Sequence, residues 1–289
     1  MIPHCCGASI QNRKSKIASV SEKTTTRVEA RFQDLCVRSE KGLVVYLTAG
    51  DPSLEATGDL LEAVERGGAD VIELGVPFSD PLADGPVIQR ASERALRAGA
   101  TLRKIIGSLP RWRESVQAPI ILFTYYNPVL RYGLRAFAQD ARQAGADGAL
   151  VVDLTPEEAE PYLSAMRAEK LDTIFLGAPT SPDTRLKHAA EISKGFFYLI
   201  SRTGVTGERA EVASGAPALV ERARRFTPLP LAVGFGISKP EQVREVQSLA
   251  DAAVVGSAVV HAIEERYDSQ GAAAIEGFVR WLKEGSSTA

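Results

Sequence analysis

The stretch from Val71 to Arg90, VIELGVPFSDPLADGPVIQR, carries two carboxylates where they could do acid–base chemistry. Val71, Ile72, Leu74 and Val76 read as a strand, along which side chains alternate in direction. Glu73 then shares a face with Val71 and Gly75, while Ile72, Leu74 and Val76 share the other. A carboxylate in such apolar company is costly to ionise unless something pairs with it. The chain next enters a loop stiffened by Pro77, Pro81 and Pro86, which also holds Asp80, Asp84 and Gly85. A semi-buried acid followed by a second acid on a stiff loop is the pattern of an acid/base site at a strand end. The same residues also fit a strand Glu paired with an Arg and loop aspartates capping a helix.

Other chemistries have little to draw on. His4, His188 and His261 are the only histidines, and none adjoins a nucleophile motif or another metal ligand. Cys5, Cys6 and Cys36 have no CxxC spacing, which argues against a disulfide framework or zinc and fits a reducing, cytoplasmic compartment. The 34 basic and 36 acidic residues nearly balance, so no nucleic-acid face or polybasic membrane patch is expected. The apolar stretch from Ala252 to Ile263 is too short to span a bilayer. Proton chemistry is left to carboxylates and tyrosines.

The elements that must position these acids repeat. Strand-like runs occur at Leu43–Leu47, Val71–Val76, Ile120–Tyr126, Gly148–Val152, Thr173–Leu176, Phe196–Ile200, Leu231–Gly234 and Ala253–Val255. Between them lie amphipathic helical stretches at Leu54–Arg66, Leu134–Ala144, Pro156–Glu169, Thr184–Ser193, Ala218–Arg225 and Glu241–Ala250. The junctions recur as well: Ala69-Asp70, Ala146-Asp147 and Ala250-Asp251 stand just before the second, fourth and eighth strands. Eight short apolar strands alternating with helices predict an α/β fold, a single (β/α)₈ barrel, with a doubly wound sheet as the alternative. No strand is followed by GxGxxG. Val28–Val37 reads as an extra N-terminal helix, and residues 1–25 as a disordered tail or a poor transit peptide, leaving 26–285 as the barrel domain.

In such barrels the chemistry lies at the C-terminal ends of the strands. There the chain places Thr48–Pro52, Glu73 with Asp84, Tyr125, Asp153, Tyr198 and the glycine- and hydroxyl-rich 201–207, which reads as a lid or as a plain surface loop. Gly234, Gly236, Gly256 and Ser257 fall after the seventh and eighth strands, where backbone N–H groups and a helix N-terminus can cradle a phosphate. These features point to a barrel enzyme acting on a small phosphate ester.

From about Val28 to Leu282 the chain resembles the tryptophan synthase α-subunit family, through LTAGDP at 47–52, ELGVPFSDPLADGP at 73–86, APTSP at 178–182, SRTGVTG at 201–207, GFGIS at 234–238 and VGSAVV at 255–260. The resemblance implies retro-aldol cleavage of indole-3-glycerol phosphate to indole and glyceraldehyde 3-phosphate. It makes Glu73 the general acid/base, Asp84 the carboxylate on the indole N–H, and Tyr198 a tyrosine beside the substrate. Tyr125 and Phe235 line the indole pocket, Thr206 lies in the closing loop, and Gly207, Gly236, Gly256 and Ser257 bind phosphate. It also implies a β-subunit partner in an α₂β₂ tetramer, with pyridoxal phosphate in that partner, and neither metal nor cofactor in this chain. A free-standing lyase and a non-catalytic activating subunit are the alternatives. Glu73 in its apolar strand should be protonated near neutral pH, and Asp84 in a polar loop should stay ionised.

Overall fold

In the computed structural model, which describes residues 25–200, 215–234 and 236–285, all strands run parallel around a barrel. They are β1 (Gly42–Thr48), β2 (Val71–Gly75), β3 (Ile120–Thr124), β4 (Gly148–Val151), β5 (Asp172–Ile174), β6 (Leu176–Gly177), β7 (Phe197–Ile200), β8 (Leu231–Gly234) and β9 (Ala252–Val255). Their order is β5-β4-β3-β2-β1-β9-β8-β7-β6. The eight expected strands become nine segments because the fifth splits at Phe175. Its first part, β5, pairs with β4, and its second part, β6, pairs with β7. The split closes the barrel, because one continuous run of chain joins the two ends of the sheet.

The covering helices are α1 (Arg27–Val37), α2 (Leu54–Arg66), α3 (Pro86–Arg97), α4 (Leu102–Trp112), α5 (Tyr126–Tyr132), α6 (Leu134–Ala144), α7 (Glu160–Ala168), α8 (Asp183–Ile192), α9 (Ala216–Arg224), α10 (Pro240–Leu249), α11 (Ser257–Gln270) and α12 (Ala272–Glu284). Two expected boundaries shift for local reasons. The third strand stops at Thr124, because Asp153 Oδ1 accepts the Tyr126 N–H at 2.7 Å and turns the chain into α5. The helix expected over 156–169 opens as a short 3₁₀ turn, Pro156–Glu158, before α7. The tail expected at 1–25 lies, except for Thr25, outside the described residues.

Side-chain alternation sorts the core into two layers. Outward residues such as Leu43, Val45, Leu47, Ile72, Leu74, Ile120 and Leu122 pack under the helices. Inward residues Val44, Val71, Ile121, Leu150, Ile174, Ala232, Ala252 and Val254 fill the barrel, with Phe196 beside them. Val28, Phe32 and Leu35 of α1 join this inner cluster, and the Phe32 and Phe196 rings stand 5.9 Å apart. The apolar face of α1 therefore plugs the N-terminal mouth, leaving the C-terminal mouth for chemistry.

The recurring Ala-Asp junctions act as pegs at the plugged end. Asp70 Oδ2 accepts the Leu43 N–H at 2.7 Å, Asp147 Oδ2 accepts that of Ile120 at 2.8 Å, and Asp251 Oδ2 accepts that of Leu231 at 2.9 Å. Each aspartate stands just before one strand and bonds the start of the preceding one. Each is also neutralised by cations: Asp70 by Arg31 and Lys283, Asp147 by Arg113, and Asp251 by Arg224. Buried carboxylates placed this way are tolerable because both charge and lone pairs are satisfied.

Candidate active site

Above the apolar filling, the next inward-facing positions are Tyr46, Glu73, Phe123 and Tyr198. Tyr46 and Glu73 stand opposite each other across β1 and β2. Glu73 is 1% exposed, and among the described residues no arginine or lysine pairs with it and its Oε1 has no hydrogen-bond partner. Burial alone raises its pKa from 4.5 to about 8, so near neutral pH it carries a proton. An unpaired, protonated carboxyl at the open end of a barrel can hand that proton to a substrate atom.

Asp84 sits elsewhere than expected. The loop around it is exposed at Leu82, yet Asp84 itself is 4% exposed. It is held by Tyr125, whose Oη donates to Asp84 Oδ2 at 3.0 Å and accepts the Ala83 N–H at 3.1 Å. The Gln89 side chain donates to the Asp84 carbonyl at 2.8 Å, and Pro86 begins α3 immediately beyond the Gly85 cap. Burial raises the Asp84 pKa to about 6, and the Tyr125 hydrogen bond partly opposes the rise. Asp84 still ionises below neutrality, but it does so as a buried group and not as a residue of a polar loop. Two carboxylates one strand and one loop apart thus occupy opposite protonation states near pH 7, which is what a proton donor and a partner for a developing cation require.

Tyrosines wall the space between them. Tyr125 is buried and packs on Phe78, ring centroids 5.1 Å apart. Tyr198 is half-buried, and burial together with the Glu73 charge pushes its hydroxyl well up, so it stays neutral. Tyr46 is a site residue that sequence reasoning missed. Its hydroxyl lies 3.3 Å from Thr48 Oγ1, and its ring meets Phe123 edge-on at 5.2 Å. Burial pushes its hydroxyl well up, and the charges of Asp84 and Glu73 add to the rise. Small residues make room for both phenols: a Cβ on Gly75 would come 2.2 Å from Tyr46 Oη, and one on Gly234 would come 2.6 Å from Tyr198 Oη. Strand alternation, which puts Tyr46 on one face with Val44 and Thr48, was the available signal, but a tyrosine in an apolar strand reads equally well as core.

Three of the four expected phosphate positions, Gly236, Gly256 and Ser257, lie at the same mouth. Ser257 opens α11, Gly256 stands at its N-cap position, and no side chain caps that end. The first N–H groups of a helix have no intrahelical acceptor, so this end offers free donors and favourable partial charge to an anion. Gly236, at φ +70°, takes a left-handed turn that a residue with a Cβ adopts only with strain. The neighbouring α10 is closed to the same use, because Gln242 Oε1 accepts the N–H groups of Ser238 at 2.8 Å and Lys239 at 3.1 Å. Asp153 serves α5 and not the site. Thr206, Gly207 and Phe235 lie outside the described residues. Among the described residues no three His, Cys, Asp or Glu side chains cluster as metal ligands, and no helix is long and apolar enough to cross a membrane.

The sequence and the fold both match known proteins. The family profile described as tryptophan synthase alpha chain matches residues 32–285. The tryptophan synthase alpha chain of Solibacter usitatus is 53% identical over 261 residues, covering 90% of this chain and 98% of that protein. That of Burkholderia multivorans is 45% identical, covering 89% and 96%. Among solved structures, the tryptophan synthase subunit alpha of Legionella pneumophila superposes with a TM-score of 0.82 at 36% identity, covering 89% of this chain and 97% of the other. Ligand-free tryptophan synthase from M. tuberculosis gives 0.81 at 35% identity, covering 89% and 97%. With the barrel, the two carboxylates and the open helix end in place, the chain belongs to the tryptophan synthase alpha chain family.

Proposed function

We propose that this chain cleaves indole-3-glycerol phosphate into indole and glyceraldehyde 3-phosphate, as the α subunit of a tryptophan synthase. The observation that carries the reading is Glu73: a carboxyl 1% exposed, unpaired at Oε1 among the described residues and protonated up to about pH 8. Glu73 gives its proton to the ring carbon that bears the glycerol chain, and the ring becomes an iminium cation. Ionised Asp84 accepts the ring N–H and stabilises that charge. A base, for which the Glu73 carboxylate just formed is in place, then takes the proton of the carbinol hydroxyl. The carbon–carbon bond pair returns to the ring, leaving indole, an aldehyde and the acid restored. Tyr46, Tyr125 and Tyr198 bound the ring, with Phe235 and Thr206 completing the pocket and lid. The backbone at Gly207, Gly236, Gly256 and Ser257 receives the phosphate.

The partner is a β subunit that carries pyridoxal phosphate and consumes the indole, in an α₂β₂ assembly. Leu82, 88% exposed at the tip of the loop that holds Asp84, places an apolar side chain where such a partner could sense the site. The test is indole release by the purified chain, with and without an added β subunit. Slow release that rises strongly with the partner supports the reading. Fast, partner-independent release would reassign the chain as a free-standing lyase, and no release in either case would withdraw catalysis altogether.

A further inference from the structure

We infer that an ion-pair clamp of Asp51, Arg94, Arg90 and Glu264 fixes the span between the ring-binding and phosphate-binding ends of the site, and so sets the length of ligand the barrel accepts. The inference rests on the function proposed above. The two ends are each built on a helix start. α3 begins two residues after Asp84, and α11 begins at Ser257. How far apart a bound ring and a bound phosphate can sit therefore depends on how α3 and α11 are held.

The clamp joins them one to two turns down from those starts. Arg90 donates from Nε to Glu264 Oε1 at 3.0 Å and from Nη2 to Oε2 at 2.8 Å. Arg94 reaches the same carboxylate, Nη1 to Oε1 at 2.7 Å. The other edge of the Arg94 guanidinium grips Asp51, Nε to Oδ1 at 2.8 Å and Nη2 to Oδ2 at 2.9 Å. Asp51 is 3% exposed and stands three residues past the end of β1, in the loop that leaves the barrel wall. The same loop lies close on α3 and the turn after it, since a Cβ at Gly50 would come 3.3 Å from Ala95 Cβ and 2.4 Å from Ala100 Cβ. One planar fork thus ties wall, α3 and α11 into a single body, a geometry that a lysine cannot reproduce. Arg90 and Arg94 hold the Glu264 carboxyl down at about 2, so the clamp stays closed at every working pH.

A ligand that touches both ends gains from its second contact only if the ends are already held at the right separation. A ligand that touches one end is indifferent. The experiment compares the wild-type chain with Glu264→Gln, which leaves the buried Asp51–Arg94 pair intact, and with Arg94→Lys, which keeps a cation beside Asp51. Calorimetric titrations use the non-cleavable 3-(indol-3-yl)propyl phosphate, which spans both ends, and glycerol 3-phosphate and indole, which each occupy one. Both variants should weaken the spanning ligand about tenfold or more and each one-ended ligand less than about twofold, as loss of effective concentration predicts. Equal weakening of all three ligands, or no weakening of the spanning one, overturns the clamp while leaving the proposed function standing. Failure of the wild-type chain to bind any of the three overturns the functional reading, and the clamp with it.

Discussion

Glu73→Gln should abolish lysis and, at the same time, make the protein more stable by an amount that grows with pH. The folded chain raises this carboxyl from 4.5 to about 8 through burial alone. An acid whose pKa is raised on folding binds its proton more tightly in the native state. Its stabilising effect is therefore complete below about pH 4.5 and is lost as pH climbs towards 8. Over that window wild-type stability should fall relative to Glu73→Gln by about 1.4 kcal/mol per pH unit, reaching ~3 kcal/mol at pH 7 and ~5 kcal/mol above pH 8.5. No screening discount applies to a side chain that is 1% exposed. The amide of the variant is itself poorly satisfied, but that cost does not vary with pH, so the slope isolates the carboxyl. Urea unfolding of both proteins at pH 5, 7 and 9, beside single-turnover indole release, measures both halves. A stability difference that stays flat across pH would refute the claim that desolvation keeps Glu73 protonated. Near-normal turnover of Glu73→Gln would remove this residue from the chemistry.

Tyr125→Phe removes the hydrogen bond that partly holds Asp84 down from its raised value of about 6. The acid limb of the kcat/KM pH profile should then move up by about one unit; an unmoved limb would detach Asp84 from it. Asp147→Ala, at the opposite mouth, strips the Ile120 N–H and Arg113 of their shared acceptor. It should cost about 3–5 kcal/mol in urea unfolding with kcat changed less than about twofold, and a collapse of kcat in the still-folded variant would contradict the division between plugged and open ends.

Strand period and helix period sufficed to find the barrel, because every wall strand has one face on the interior and one under a helix. Glu73 was legible for the same reason, as a carboxylate in the middle of an apolar strand on its inward face. Asp84 was visible as a residue but not as a buried one, since its burial depends on Tyr125, which lies 41 positions away in sequence. Tyr46 stayed hidden because its role comes from standing opposite Glu73, a fact of register and not of composition. The division of the fifth strand was equally illegible: nothing local in Thr173–Leu176 says that its two parts must serve different neighbours. Closure is a property of the whole ring.

The pegs have a consequence of their own. Counting β5 and β6 as one wall strand, Asp70 joins the first strand to the second, Asp147 the third to the fourth, and Asp251 the seventh to the eighth. The barrel is thus put together as quarters of two strands each, and three of the four are riveted. The fourth, made of the fifth and sixth strands, has no such aspartate before its second strand: Asp172, at the start of the fifth, accepts the Thr26 hydroxyl at the N-cap of α1 instead, while the Lys194 N–H bonds the Thr173 carbonyl and the Ser193 hydroxyl accepts the Phe175 N–H. The same quarter contains the seam at Phe175 and carries Tyr198 into the site. A closed ring with one unriveted panel gives at that panel first. Here that panel is the wall that holds Tyr198 at the site, so its looseness is the site's own.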